Sequence, residues 1–420
     1  MSVDPTLLDD LEWRGLIAHS TDRDALRAAL VGGSVRFYVG FDPTAPSLHM
    51  GNLVQLVTAR RMQEAGHTPY VLVGGSTGMV GDPRDSGERT LNPIETVQEW
   101  TERLRRQVSA FVTFEGDNAA TVVNNFDWTG SVSVLDFLRD VGKHFPVNRM
   151  LSRDVVSRRL EEGISYTEFS YVLLQSFDFL RLFEDHAVTL QFGGSDQWGN
   201  ITAGAELIRR AAGGHAHAFA TPLVTKADGT KYGKTEGGAL WLDPEMMSPY
   251  AFHQFWLNAE DDKVGELLRI FTFLSHEEIE ELEQATKDEP FRRAAQKRLA
   301  DEVTTLVHGA EETEQAKAAA GALFGGGDLH SLSTSTLAAA LREAGAVRVE
   351  GEWPSLVDLL VTTGLSSSKS EARRSIGEGG VYLNNERVQD VELTPTDDDA
   401  IDGWMVLRRG KKRFAGVERV

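Results

Sequence analysis

Cysteine is absent from all 420 residues, so no disulfide can form and no thiolate can act as nucleophile or metal ligand. That suits a reducing compartment. No apolar run approaches the ~20 residues needed to span a bilayer. The opening MSVDPTLLDDLEWRGL is acidic where a secretory leader would be basic and then apolar, so a cytoplasmic protein is expected. Cations are scarce: 43 Lys and Arg against 63 Asp and Glu leave a net charge of −20, which argues against a general polyanion binder. Internal repeats and low-complexity tracts are lacking too. What remains, 41% hydrophobic and 25% charged residues, is a globular composition, and the chain is too long for one small core, so two or three domains are expected.

Charge is unevenly spread. RRGKKR, residues 408–413, puts five cations in six positions. An acidic body with such an edge can still hold a specific nucleic acid, although charge alone favours a solvated tail.

VRFYVG (35–40) and YVLVGG (70–75) are short apolar runs ending in glycine, with an amphipathic segment, 51–65, between them. Strand, helix, strand predicts parallel pairing through a right-handed crossover. The order returns in AVTLQFGG (187–194), DQWGNITAGAELIRRAAG (196–213) and FATPLVT (219–225), giving a doubly wound α/β layout. Beyond about residue 245 the periodicity is helical, and Ser275 with Glu278 forms a candidate capping box. FGGGD (324–328) and STST (333–336) mark a looser connection. After about 354 a helix pair precedes short strands, with VYLNNERVQD read as a hairpin and WMVLRRG as a strand.

Ligands of open parallel sheets bind at the carboxyl ends of the strands. Four stretches fall there: YVGFDPT (38–44), GGSTGMVGD (74–82), GGSDQ (193–197) and KADGTKYGKT (226–235). Each alone is an ordinary strand-ending turn; their convergence on one edge is the stronger signal. In SLHMGNL (47–53) a histidine and a glycine open a helix, whose N-terminus attracts phosphate, although so short a pattern by itself is more simply a helix start with a surface histidine. The helix YTEFSYVLLQSFDFLRLF (166–183) is apolar almost all round, yet Tyr171, Gln175 and Asp178 share one stripe. A buried carboxylate must be satisfied, by an internal polar network or by a polar ligand with an apolar body. KYGKT is either a solvated loop or one whose lysines close over a polyphosphate.

Taken together these stretches resemble a known family. SLHMGNL is similar to the H-I-G-H motif of class I aminoacyl-tRNA synthetases, and KYGKT to their K-M-S-K-S loop in the form usual for bacterial tyrosyl-tRNA synthetases. YVGFDPTAPSLH, LVGGSTGMVGDP, FSYVLLQSFDFL, QFGGSDQWGNITAG and LVTKADGTKYGKTEGGALWLD resemble that family's blocks in order, and SSSKSEARRSIGEGGVYLNNERV (366–388) its C-terminal S4-type RNA-binding module. The resemblance covers nearly the whole chain. It implies a Rossmann-like catalytic domain over 1–245 with a connective insertion at about 111–160, an α-helical tRNA-binding domain over 246–330, a linker over 331–353 and a small α+β S4-like domain over 354–420. It implies a homodimer with its interface around 137–150, no membrane, and the substrates L-tyrosine, ATP with Mg²⁺, and tRNA(Tyr), with no prosthetic group and no protein-held metal.

Residue roles follow from the same resemblance. Tyr38 and Asp178 would meet the substrate phenol; Tyr171, Gln175 and Asp82 would hold its α-ammonium; Gln191 and Asn124 would shape the pocket. Gly40, Asp42, His49, Gly51, Asn52, Gly193, Asp196 and Gln197 would form the ATP site, with Thr44 and His49 at the phosphates. Lys231, Lys234 and Thr235 would grip the pyrophosphate, and Arg84 and Arg89 would serve from the loop after Asp82. Arg373, Arg374, Arg408, Arg409, Lys411, Lys412 and Arg413 would face tRNA.

The chain departs from the pattern in four places. Asn52 replaces the last motif histidine and is expected to donate a hydrogen bond in its stead. Val39 stands where a cysteine is common; GDPRDSGERT is one residue short and lacks its first lysine, for which Arg84 would substitute; and the usual N-G turn is Asn384–Asn385. A tryptophan enzyme of the same class is the nearest rival, and the Tyr38/Asp178 pair suits a phenol better than an indole. An RNA-binding protein on a synthetase scaffold could have lost the motif residues that remain here, and the S4-like tail argues against another nucleotidyltransferase.

Overall fold

A computed structural model describes residues 3–83, 92–160, 163–225, 230, 232, 234–235, 238–325, 327–410 and 413–420. It is a mixed α/β protein with two compact units, Met1–Asp243 with Asp262–Gln284, and Pro244–Asp261 with Ala285–Val420. Among the described residues no helix is long and apolar enough to cross a membrane.

The first unit is built on a six-stranded sheet of β1 (His19–Ser20), β2 (Arg36–Phe41), β3 (Thr68–Val73), β4 (Thr121–Asn124), β5 (Leu190–Gly194) and β6 (His217–Thr221). Their order across the sheet is β1-β6-β5-β2-β3-β4. β2 through β6 run parallel, and β1 pairs antiparallel at the edge. The chain steps outward in one direction through β3 and β4 and in the other through β6. The order therefore reverses between β2 and β5, where their carboxyl ends open a crevice. Such strands are covered on both faces and read as near-continuous apolar runs; β2 and β3 contribute Phe37, Val39, Val71 and Leu72, all buried.

Helices cover the faces. The helix Met50–Glu64 buries most of its length, as its largely apolar sequence requires. The helix Tyr166–His186 starts at Ser165, whose hydroxyl accepts from Glu168 N, and stops at Ala187 in the left-handed conformation, φ 53°. Ser275 and Glu278 do form the reciprocal cap: Glu278 N donates to Ser275 Oγ at 3.2 Å and Ser275 N to Glu278 Oε2 at 2.9 Å. The helical stretch after 245 does not pack as one body, because residues 262–284 belong to the sheet unit. The buried guanidinium of Arg14 explains part of this attachment. It donates to Arg269 O at 3.1 Å and Leu274 O at 2.9 Å, setting a cation at the end of the helix Asp261–Phe271.

The second unit carries the helices Ala294–His308 and Ala310–Gly325 and the five-stranded sheet β11-β10-β12-β13-β9. In it β9 is Val347–Val349, β10 Val381–Leu383, β11 Glu386–Val388, β12 Trp404–Arg409 and β13 Arg413–Arg419; between β6 and β9 in the chain lies the short pair β7 (Lys234–Thr235) and β8 (Gly238–Ala239) of the first unit. Residues 331–353 are not a loose connection. Ser333 caps a helix, Thr334–Glu343, by accepting from Thr336 N, and β9 adds to the sheet beside β13. Leu337 and Leu341 of that helix share a core with Ile401, Trp404 and Val406, so the serines read as a linker are a helix start. The hairpin read at VYLNNERVQD is there, with Asn384 and Asn385 both at positive φ, 47° and 67°, as a two-residue turn between twisted strands demands.

Candidate functional site

The crevice between β2 and β5 is a cavity of about 400 Å³. At its floor lies Tyr38, 2% exposed, which pairs across the sheet with Tyr70 on one side and Gln191 on the other. Tyr171, Gln175 and Asp178 enter it from the Tyr166 helix, so the stripe foreseen in the sequence does face a cavity. Thr44, His49, Gly51, Asn52, Gly193, Asp196, Gln197, Gly40, Asp42 and Asp82 line the rest.

Asp178 is 1% exposed and accepts from Asn125 Nδ2 at 3.0 Å and from Trp128 Nε1 at 2.9 Å. Burial pushes its carboxyl up to about 7; those two hydrogen bonds pull it down, and the charge of Asp42 raises it further. Burial likewise drives the Tyr38 phenol well above 10, with Asp178 and Asp42 adding to the effect. Asp42 is held in turn: Tyr171 Oη donates to Oδ2 and Thr77 Oγ1 to Oδ1, each at 2.6 Å. Gly74 makes that arrangement possible, because a Cβ there would sit 2.1 Å from Asp42 Oδ1. The two readings of the polar stripe are therefore both present. Asp178 has partners within the chain, and the cavity still holds unanswered polar atoms: among the described residues the buried Oε1 atoms of Gln175 and Gln191 accept from no donor. Buried amide oxygens are nearly always bonded, so these two mark where a ligand's donors fit.

At the other end of the cavity His49 is the N-cap of the Met50 helix. Its Nδ1 accepts from Gly51 N at 3.0 Å, which leaves the proton on Nε2 and makes that nitrogen a donor. Asn52 Oδ1 accepts from His49 N at 3.1 Å, closing a capping box, and its amide nitrogen keeps the donor hydrogens its expected role needs. The strand-like segment after β8 runs beside this helix start, with Met50 N donating to Leu240 O and Leu242 N to Leu48 O, both at 2.9 Å. The chain leaving KYGKT is thereby docked next to His49. Lys234 and Thr235 pair with Ala239 and Gly238; Lys231, Arg84, Arg89, Lys411 and Lys412 lie outside the described residues.

Asn124 does not line the cavity. Its Oδ1 accepts from Phe126 N at 2.9 Å, and it is the neighbouring Asn125 that reaches Asp178. Asn124 ends β4, whereas Asn125 has turned into the helical conformation, φ −66°, and it is this side chain that faces Asp178. Trp128 and Thr77 also went unnoticed in the sequence. The aromatic N–H of Trp128 three residues after Asn125 was the available signal, since a buried indole donor seeks an acceptor. The described arginines of the C-terminal basic run, Arg408, Arg409 and Arg413, lie in the paired strands β12 and β13. Arg408 lies 3.9 Å over the Tyr382 ring, Arg409 pairs with Glu371 at 2.8 Å, and Arg413 donates to Gly364 O at 2.8 Å. Arg373 and Arg374 stand exposed on the helix Lys369–Gly377.

A family model described as tRNA synthetases class I (W and Y) matches residues 32–325, and one for the tyrosine–tRNA ligase SYY-like C-terminal domain matches 337–417. The chain is therefore a class I aminoacyl-tRNA synthetase of the tryptophan and tyrosine group. It is 59% identical over 416 residues to a tyrosine–tRNA ligase of Streptomyces coelicolor, covering 98% of each chain, and 57% identical over 420 residues to one of a Mycobacterium species, covering 99% of each. Among solved structures it is similar to a C-terminally truncated mitochondrial tyrosyl-tRNA synthetase of Coccidioides posadasii, with TM-score 0.66, 32% identity and coverage of 74% of this chain and 90% of that one. Within the group, this chain belongs to the tyrosine–tRNA ligases.

Proposed function

We propose that the floor of the cavity takes the tyrosine ring and its mouth takes ATP, so that the ligase works in two steps. The tyrosine carboxylate attacks the α-phosphorus of ATP, forming tyrosyl-adenylate and releasing pyrophosphate. The terminal ribose hydroxyl of tRNA(Tyr) then attacks the adenylate carbonyl and AMP leaves. No nucleophile–base pair is needed, because the attacking carboxylate is already ionised, and rate depends on positioning and on stabilising charge.

The single observation that carries this reading is Tyr38 and Asp178 together on the cavity floor. Tyr38 Oη donates to the substrate phenol oxygen, and the substrate O–H donates to Asp178. Phenylalanine would give the Tyr38 hydroxyl no acceptor and set an apolar ring edge against the Asp178 carboxylate, which is costly. Tyr171, Gln175 and Asp82 hold the α-ammonium, with Gln175 Oε1 one of its acceptors, and Gln191 borders the ring. Thr44, Gly40, Asp42, Gly51, Asn52, Gly193, Asp196 and Gln197 surround ATP. His49 Nε2 donates to phosphate from the positive end of its helix. Lys231, Lys234 and Thr235 carry the departing pyrophosphate, assisted by Arg84 and Arg89. Removing one such transition-state donor typically costs about 3–4 kcal/mol. Mg²⁺ enters with ATP as part of the substrate, bound through phosphate and water.

Four coarser features complete the proposal. The Rossmann-like sheet, its connective insertion and the cavity form the catalytic part; the helices beyond 245 and an S4-like module over 354–420 bind tRNA, through Arg373, Arg374 and the cations of the β12–β13 turn. The ligase is a homodimer. Val134, Leu135 and Val147 are 74%, 79% and 60% exposed on the insertion, an apolar surface that a second copy would cover. Its site of action is the cytoplasm, where aminoacylation is required.

ATP–pyrophosphate exchange across the twenty amino acids tests the reading. Exchange with tyrosine alone, abolished by Asp178→Ala with ATP affinity retained, is expected. Exchange with tryptophan, or an Asp178→Ala enzyme with unchanged tyrosine KM, would overturn it.

A further inference from the structure

Arg153 reaches the site from outside the motifs. It sits on the insertion, yet its guanidinium is largely buried and its Nη2 donates to Asn200 Oδ1 at 2.5 Å. Room for it comes from Gly199, where a Cβ would lie 2.8 Å from Nη2. Asn200, 4% exposed, is the hub of a small network. Its Nδ2 donates to Asp82 Oδ1 at 3.1 Å and to Gln197 Oε1 at 2.9 Å, and Gln197 Nε2 donates to Asp82 Oδ2 at 2.8 Å.

Direction is the important property of this network. A guanidinium only donates, so the end of the Asn200 amide facing Arg153 must be the oxygen. The nitrogen is then turned inward, where it gives one hydrogen to Asp82 and the other to Gln197. With its oxygen so engaged, Gln197 turns its own nitrogen to Asp82. Every donor points the same way, from the cation toward the carboxylate. Without Arg153 the Asn200 oxygen loses its cationic donor, the amide is free to turn away from Asp82 toward other donors, and the orientation of both carboxylate oxygens is lost.

We propose that Arg153 is a positioning residue for the amino-acid ammonium group, acting through Asn200 to aim Asp82. This rests on the assignment of Asp82 to the α-ammonium made above. Arg153 does not touch the substrate; it sets the polarity of the chain of hydrogen bonds that does.

The test uses the full-length enzyme in ATP–pyrophosphate exchange, with tyrosine as substrate and two competitive inhibitors. Tyramine keeps the phenol and the ammonium; 3-(4-hydroxyphenyl)propionate keeps the phenol and the carboxylate. Arg153→Ala is expected to raise the tyrosine KM and the tyramine Ki roughly tenfold, the scale of one charged hydrogen bond, while leaving the Ki of the propionate and the KM of ATP unchanged. Arg153→Lys, which can also only donate, restores both values to within a few-fold. Gly199→Ala, which crowds the guanidinium without removing its charge, moves them in the same direction as the alanine variant. Equal weakening of all three ligands by Arg153→Ala, no weakening of any, or a loss confined to the tRNA-dependent step would each overturn the proposal. Asp82→Asn separates the underlying assignment: if it fails to distinguish tyramine from the propionate, the ammonium role of Asp82 is wrong, and the role of Arg153 falls with it for that visible reason.

Discussion

Asp178 should make tyrosine binding depend on pH in a range where the free amino acid does not change charge near its phenol. Both carboxylate oxygens already accept from N–H groups, Oδ2 from Asn125 and Oδ1 from Trp128. A proton on either oxygen would displace one of those donors, and it would leave no charged acceptor for the substrate O–H. The ionised form is thus the one that binds. With the carboxyl at about 7, the apparent Kd is the intrinsic value divided by the ionised fraction. It should therefore be roughly elevenfold weaker at pH 6 and about 10% weaker at pH 8. Calorimetry in buffers of different ionisation enthalpy would detect nearly one proton released per tyrosine bound at pH 6. The same shift acts on stability. A carboxyl raised from 3.8 to about 7 binds more protons folded than unfolded between those values, so stability falls as pH rises through that window. The total is about 4 kcal/mol. Asp178→Asn removes the titration, so its stabilising effect relative to the parent should be about 2–3 kcal/mol larger at pH 8 than at pH 5, whatever the fixed cost of one mismatched amide contact. A tyrosine Kd that is flat from pH 6 to 8, or a pH dependence that survives in Asp178→Asn, would refute the reasoning.

Three further outcomes are expected. Trp128→Phe removes one of the two donors to Asp178, so the midpoint of the pH dependence of tyrosine binding should move upward, and a downward shift would mean the indole is not an effective donor. Asn52→Ala opens the reciprocal cap with His49 and should cost about 1 kcal/mol in urea unfolding while raising the ATP KM, with tyrosine Kd unaffected. Asn385→Gly relieves a left-handed residue but gives up bonds from Nδ2 to Ala322 O and Gly327 O, at 2.8 and 3.0 Å. It should lower stability by about 1 kcal/mol, and equal or greater stability would mean that turn geometry outweighs the two bonds.

Much of the chemistry could be read from residue order because it depends on local rules. Glycines at strand ends, a histidine at a helix start and a polar stripe at helical spacing are all properties of neighbouring residues, and Tyr38, His49, Tyr171, Gln175, Asp178, Asp196 and Gln197 all line the cavity. The Asn384–Asn385 turn was legible for the same reason, since its backbone conformation is set within two residues. Errors came where a residue's partner lies far away in the chain. Asn125 and Trp128 meet Asp178 across about fifty positions, and nothing local distinguishes Asn125 from Asn124. Ser333 caps a helix whose core partners lie far along the chain, with Leu341 packing against Trp404 of β12.

Local sequence determined the elements, the edge of the sheet on which ligands would gather, and the chemical types of group brought there. Tertiary structure alone decided which of those groups have their hydrogen bonds already filled, how far burial shifts Asp178, and that the cation Arg153 stands behind Asp82 through Asn200. Hydrogen-bond satisfaction and desolvation are set by what surrounds an atom in space, and that surrounding is assembled from segments the chain keeps far apart.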